Sequence, residues 1–169
     1  NERVGPYIYL TGGEPLSLGD ELWGEDGLIQ FATTRGAAVN VNTNGVLITP
    51  EVALRLIGVG LAKLHISLDA AEPQVQNVLF SGERMEGVLT GIDNMQLARQ
   101  LVGASYPEIH TNCVLTNRNL DLFPRLFRFL LERKARVANR SEPLYGDLLP
   151  HVIPVGGSEN DELRPSREA

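Results

Sequence analysis

The sequence predicts an α/β protein built on parallel strands, and three observations carry that reading. Short β-branched and aromatic runs recur along the chain with helical spacing between them, which is the pattern of βαβ units. The first four of these runs each end in a polar turn: Thr11-Gly12-Gly13-Glu14-Pro15, Thr43-Asn44-Gly45, Ser67-Leu68-Asp69 and Thr116-Asn117-Arg118-Asn119. Parallel strands place their C-terminal ends on one rim, so these turns should converge on one site. The 169 residues are 43% hydrophobic and 21% charged, enough for one domain with a core and too apolar for disorder. On these grounds alone an open α/β sheet and part of a (β/α) barrel both fit.

The first strand is Tyr7-Ile8-Tyr9-Leu10. The glycine pair behind it removes two Cβ atoms, so the backbone can turn sharply and a ligand can lie against it. Pro15 removes a ladder donor and biases Glu14 to an extended conformation. A carboxylate placed there, beside bare backbone, suits a cationic ligand group. Gly27 to Arg35 reads as a short helix with Gly36 at its end. The second strand runs through Ala38-Val39-Asn40-Val41-Asn42-Thr43-Asn44-Gly45. Thr49 as N-cap and Pro50 at the first helical position then start a helix that ends near Gly58 or Gly60.

Leu61 to Asp69 is the third strand, and alternation places His65, Ser67 and Asp69 on one face. Pro73 to Gly87 reads as a loop that carries Phe80-Ser81-Gly82-Glu83-Arg84. Val88, Ile92, Met95, Leu101 and Val102 restore helical spacing. Glu108 to Leu115 is the fourth strand. The helix after it has an apolar face of Leu122, Phe123, Leu126, Phe127 and Leu130, with Pro124 in its first turn. Arg136 to Leu149 is polar and irregular, and His151 to Gly157 is the fifth strand.

Composition narrows the function. A formal charge of −6 argues against nucleic acid as the main partner. No apolar run reaches membrane-spanning length and no signal peptide opens the chain. Cys113 is the only cysteine, so no internal disulfide can form, which points to a reducing, cytoplasmic compartment. His65, His110 and His151 lie on or beside strands, but no carboxylate or cysteine spacing supports a metal site. Gly-x-Ser-x-Gly is absent, as is a glycine-rich phosphate loop ahead of a helix. The opening Asn1-Glu2-Arg3-Val4 and the closing Ser166-Arg167-Glu168-Ala169 give the expectation of a single incomplete domain cut from a longer protein.

Taken together, the turns resemble the core of the radical S-adenosylmethionine (radical SAM) enzymes. The matching pieces are Tyr9-Leu10-Thr11-Gly12-Gly13-Glu14-Pro15-Leu16, Asn42-Thr43-Asn44-Gly45, His65-Ile66-Ser67-Leu68-Asp69 and His110 to Thr116 with Asn119. The run Ile153-Pro154-Val155-Gly156-Gly157 completes them. Each piece is short; their order and spacing across nearly the whole chain are the specific signal. The resemblance implies a partial (β/α) barrel of which this chain holds strands two to six.

The resemblance also implies roles. Gly12, Gly13 and Glu14 would hold the amino group of the SAM methionine. Thr43 would join them, and Ser67 with Asp69 would reach the ribose or carboxylate. Arg84 would lie near the carboxylate, Asn112 would face the ribose, and Val155 would flank the adenine. The family binds a [4Fe–4S] cluster through a C-x3-C-x2-C loop after its first strand, and this chain has no such loop. Cluster cysteines are therefore expected upstream, no metal ligand is assigned within the chain, and the segment alone is expected to be inactive.

In the whole protein the implied reaction is reductive cleavage of SAM to a 5′-deoxyadenosyl radical that abstracts hydrogen from a small-molecule or peptide substrate. An electron donor such as flavodoxin or ferredoxin would serve it. A nucleotide-triphosphate cyclase branch of the family carries cations where this chain has Tyr9 and His110, a mismatch against a polyphosphate. The alternative function is a degenerate, cluster-free barrel that binds SAM or a partner without catalysis.

Overall fold

The computed structural model describes residues 5–79, 85–137 and 149–154, with side chains described over 5–76 and 85–132. Its centre is a five-stranded sheet of β1 (Tyr7–Leu10), β2 (Ala38–Thr43), β3 (Lys63–Ser67), β4 (Glu108–Leu115) and β5 (Leu149–Pro154). All neighbours pair in parallel and in chain order, β1-β2-β3-β4-β5. A parallel sheet whose order never reverses, joined by crossovers of one hand, carries its helices on one face only. That rules out a doubly wound sheet, which needs a reversal of strand order.

The helices are α1 (Asp20–Trp23), α2 (Leu28–Thr33), α3 (Pro50–Gly58), α4 (Pro73–Leu79), α5 (Met85–Val102) and α6 (Phe123–Val137). Val39, Val41, Leu64, Ile66, Ile109 and Cys113 line one sheet face and are fully buried with Ile29, Leu56, Ile92, Met95 and Leu126. Gly91 lets α5 approach the β2–α3 loop, since a Cβ there would collide with the Gly45 carbonyl oxygen. Thr49 caps α3 as expected, its hydroxyl accepting from Val52 N at 3.2 Å, with Pro50 in the first turn. No helix among the described residues is long and apolar enough to cross a membrane.

The structure corrects several boundaries. Pro73–Leu79 is helix, where the sequence reads as loop; Pro73 suits a first helical turn, and buried Gln76 accepts from Asp69 N and Ala70 N to fix the entry. α5 starts at Met85 rather than Val88. β3 ends at Ser67, so Asp69 lies beyond the strand. β5 starts at Leu149, and Val155, Gly156 and Gly157 lie outside the described residues. Phe127 is 42% exposed, whereas Leu126 and Leu130, one turn apart, are buried. A 3₁₀ turn over Pro15–Leu18 and the short α1 follow the glycine pair, neither of which the apolar spacing signals.

Candidate functional site

The rim begins at Gly12 and Gly13, whose φ angles of 93° and 52° lie in the left-handed region. Among the described residues, a Cβ at either would meet nothing within 4 Å, so open space lies against this backbone. Glu14 is extended (φ −120°, ψ 102°), as its place before Pro15 requires. Its carboxylate caps the 3₁₀ turn by accepting from Leu16 N at 3.0 Å. The same oxygen accepts from Thr43 Oγ1 at 2.6 Å, and the other accepts from Asn44 N at 2.8 Å. Glu14 thus clasps the turn after β1 to the turn after β2. Three bonds use three of about four lone-pair positions, which leaves one for a further donor. An open cavity of about 770 Å³ lies beside Glu14, with Asn44, Ile48, Glu86, Thr90 and Asn94 on its walls.

Thr43 Oγ1 also accepts from Gly45 N at 3.0 Å, and Asn44 Oδ1 accepts from Val46 N at 2.9 Å, so the Thr-Asn-Gly turn is internally braced. Farther along the rim, Ser67 pairs in register with Asn112. The Ser67 hydroxyl is partly exposed and makes no hydrogen bond among the described residues. Asp69 is different. It is 5% exposed, and its Oδ1 accepts from Val114 N at 2.7 Å, stitching the end of β3 to β4. Burial pushes its carboxyl up to about 6, against the lowering effect of the Val114 bond.

Asn119 completes that junction. Its Oδ1 accepts from Thr116 N at 2.7 Å and Thr116 Oγ1 at 3.0 Å. Its Nδ2 donates to the carbonyls of Asp69 at 3.0 Å and Val114 at 2.9 Å. Cys113 lies beneath it, buried, with its thiol pushed up to about 12 by burial and then by the Asp69 charge. Arg84 and Val155, both expected at the site, lie outside the described residues.

The sheet face away from the helices is polar. Register places Tyr9, Asn40, Lys63 and Glu108 in one row, Asn42, His65 and His110 in the next, and Ser67 with Asn112 in the last. Lys63 Nζ meets Glu108 Oε2 at 2.8 Å, and the same oxygen meets His110 Nε2 at 3.1 Å. Lys63, and after it His110, holds the Glu108 carboxyl below the usual range. His110 and His65 rings stand 5.2 Å apart, and the Tyr9 ring meets His65 edge-on at 5.4 Å. Asn112 Nδ2 donates to Asn42 Oδ1 at 2.9 Å and to the Tyr9 hydroxyl at 3.4 Å, while Asn42 Nδ2 donates to Thr11 Oγ1 at 3.4 Å.

Gly12, Gly13, Glu14 and Thr43 therefore form one cluster, and Ser67 with Asn112 a second, joined through Asn42 and Thr11. Sequence reasoning picked out neither Asn42, Lys63 and Glu108 as face residues nor Asn119 as a staple. The signal for the face was present: Tyr7 and Tyr9, Asn40 and Asn42, Lys63, His65 and Ser67, and Glu108, His110 and Asn112 all recur at the strand period of two. Asn119 carried no such signal, because three of its four partners are backbone groups and the fourth is the Thr116 hydroxyl.

Comparison with known proteins places the chain in a family. An AdoMet-dependent heme synthase from Methanosarcina barkeri (strain Fusaro) is 28% identical over 166 residues, covering 95% of this chain and 41% of that protein. The mycofactocin maturase MftC from Mycobacterium tuberculosis is 30% identical over 151 residues, covering 85% of this chain and 36% of that protein. The chain thus spans less than half the length of these curated relatives. Among solved structures, native anSMEcpe with bound AdoMet superposes with a TM-score of 0.65 at 15% identity, over 90% of this chain and 38% of that one, a likeness of fold. The model of the radical SAM superfamily matches residues 1–130. The chain belongs to the radical SAM superfamily, whose cofactors are SAM and a [4Fe–4S] cluster.

Proposed function

We propose that this chain is the SAM-cradling wall of a radical SAM enzyme, a partial (β/α) barrel whose β1 to β5 answer to strands two to six of the superfamily core. The observation that carries the reading is the Glu14 clasp beside the bare Gly12–Gly13 backbone. Curvature supports the barrel. In a flat sheet β1 and β4 would stand about 14 Å apart, yet the Tyr9 and Asn112 side chains meet at 3.4 Å. The sheet therefore curls, with its polar face on the concave side.

The residues present suit SAM. The open space over Gly12 and Gly13 admits the methionine end, and the remaining lone-pair position on Glu14 suits its ammonium group. Thr43 holds the Glu14 carboxylate in place. Ser67 offers a hydroxyl for the ribose or carboxylate, and Asn112 an amide for the ribose. Asp69 acts by fixing the rim through Val114. Arg84 and Val155 keep the roles that the family resemblance gives them, toward the carboxylate and the adenine. When bound and reduced through a cluster, SAM supplies the 5′-deoxyadenosyl radical that takes hydrogen from a substrate.

The residues present do not suit the cluster. Cys113 is the only cysteine, it is buried, and its thiol is pushed up to about 12, whereas a ligand must be a thiolate. No step here runs through cluster ligands of this chain, and we place the three cluster thiolates outside residues 1–169. The substrate reading is a small molecule or peptide that lies on the concave face. The strand residues of that face carry one cation among the described residues, Lys63, and Glu108 already neutralises it. That weighs against a polyphosphate substrate. Flavodoxin or ferredoxin is the proposed electron donor and the cytoplasm the proposed location.

The test uses the full-length protein, reconstituted anaerobically with iron and sulfide. Visible cluster absorption and 5′-deoxyadenosine after reduction with SAM are expected. An intact cluster that yields no 5′-deoxyadenosine with any reductant would overturn the enzyme reading in favour of a domain that binds SAM without cleaving it.

A further inference from the structure

Asn112 has two amide hydrogens, and both are engaged: one by Asn42 Oδ1 at 2.9 Å, the other by the Tyr9 hydroxyl at 3.4 Å. If Asn112 is to donate to the ribose, as the function above assumes, one of these bonds must be given up. The two partners are not equal. Asn42 lies on β2, inside the sheet, and is itself tied to Thr11. Tyr9 lies on the end strand of the described sheet, is 40% exposed, and accepts the longer bond. Its other contact on this face is the edge of the His65 ring. Tyr9 is the partner that yields.

We propose that Tyr9 is a positioning residue that occupies the second Asn112 donor until SAM takes it, and that the departing ring uncovers the His65–His110 wall for substrate. The proposal rests on the SAM role of Asn112. Two consequences follow from the shared donor. The Tyr9 hydroxyl competes with SAM, so its removal favours binding. By linkage, a substrate that displaces the Tyr9 ring from His65 tightens SAM binding by the same factor that SAM tightens its own.

The experiment measures the Kd of SAM by calorimetry on the full-length protein with its cluster reconstituted and left oxidised, so that SAM is bound and not cleaved. Tyr9→Phe keeps the ring and removes the acceptor. It is expected to bind SAM about two- to fivefold tighter, the worth of one weak neutral hydrogen bond. Asn112→Ala is expected to bind SAM more weakly, and Tyr9→Phe should then make no further difference. Asn112→Asp, which keeps the shape without the donors, replaces the alanine variant if that one unfolds. Weaker binding in the Asn112 variant with unchanged or weaker binding in Tyr9→Phe overturns the proposal and leaves the SAM role of Asn112 standing. Unchanged binding in the Asn112 variants overturns that role and the proposal with it.

Discussion

Thr43 Oγ1 donates to Glu14 Oε1 over 2.6 Å, and this bond joins two turns that are 29 residues apart in the chain. A short bond to a carboxylate is stronger than one between neutral groups. The rim is therefore set before any ligand arrives, and Glu14 ties the fold together at the edge where SAM is proposed to bind.

Glu14→Ala should lower stability by about 1–3 kcal/mol, because Thr43, Asn44 N and Leu16 N all lose an acceptor. Urea unfolding measures this. SAM affinity in the full-length protein should fall as well. Thr43→Val, which leaves the carboxylate but removes one tie, should weaken SAM binding less than Glu14→Ala does. Equal SAM affinity in Glu14→Ala and the parent would refute the ligand role.

Asp69 gives a pH dependence with a definite sign. Its carboxyl titrates near 3.8 when unfolded and is pushed up to about 6 in the folded chain. The folded state thus binds the proton more tightly, and the charged form carries a penalty on the order of 2–3 kcal/mol above pH 6. The penalty fades as pH falls from 6 toward 3.8. Asp69→Asn keeps an acceptor for Val114 N and removes the charge. It should raise the melting temperature at pH 8 and lose that advantage near pH 4. A gain that is independent of pH would contradict this account.

Asn119→Ala strips partners from two carbonyls, one amide and one hydroxyl in a buried junction. A loss of about 2–4 kcal/mol is expected in urea unfolding. Asn119→Asp keeps the acceptor and loses the donors, so it should fall between the two. Equal stability of the alanine variant and the parent would show that the staple is dispensable.

Gly91→Ala places a Cβ against the Gly45 carbonyl and must push α5 off the β2–α3 loop. Overpacking of this kind costs about 1–3 kcal/mol. The same substitution at Gly58, where no described residue lies within 4 Å, is the control and should be nearly neutral or mildly stabilising. Matching losses at the two sites would contradict the contact.

Cys113 should resist alkylation by iodoacetamide in the folded protein at pH 8 and react once the chain is unfolded in urea. Its thiol is buried and pushed up to about 12, so little thiolate forms. Mass spectrometry reads the difference; rapid labelling of the native chain would show that β4 opens.

Much of the fold was legible because the strands announce themselves through residue type and the turns through Gly, Asn and Pro. The Thr11 to Pro15 turn, the Thr49–Pro50 cap and the parallel class follow from local chemistry. The helix Pro73–Leu79 was not legible, since Val75, Val78 and Leu79 are too few to show a period, and the anchoring bonds of Gln76 are tertiary. Within the site, the family resemblance grouped Thr43 with Glu14, but their direct bond was not legible, because nothing local says which turn a carboxylate will reach. Asp69 shows the opposite limit. Alternation puts it on a shared face with Ser67, but β3 ends first, and its carboxylate goes to Val114 instead.

The unbroken order β1-β2-β3-β4-β5 has a consequence for how the molecule is made. Each new strand docks on the one synthesised just before it, so no strand waits for a distant partner still to come. Assembly can keep pace with the ribosome and grow as an advancing edge. Pulse-labelled hydrogen exchange on stalled chains should then find β2 and β3 protected before β4 has emerged. Simultaneous protection of all strands only after release would show that the sheet closes in a single step.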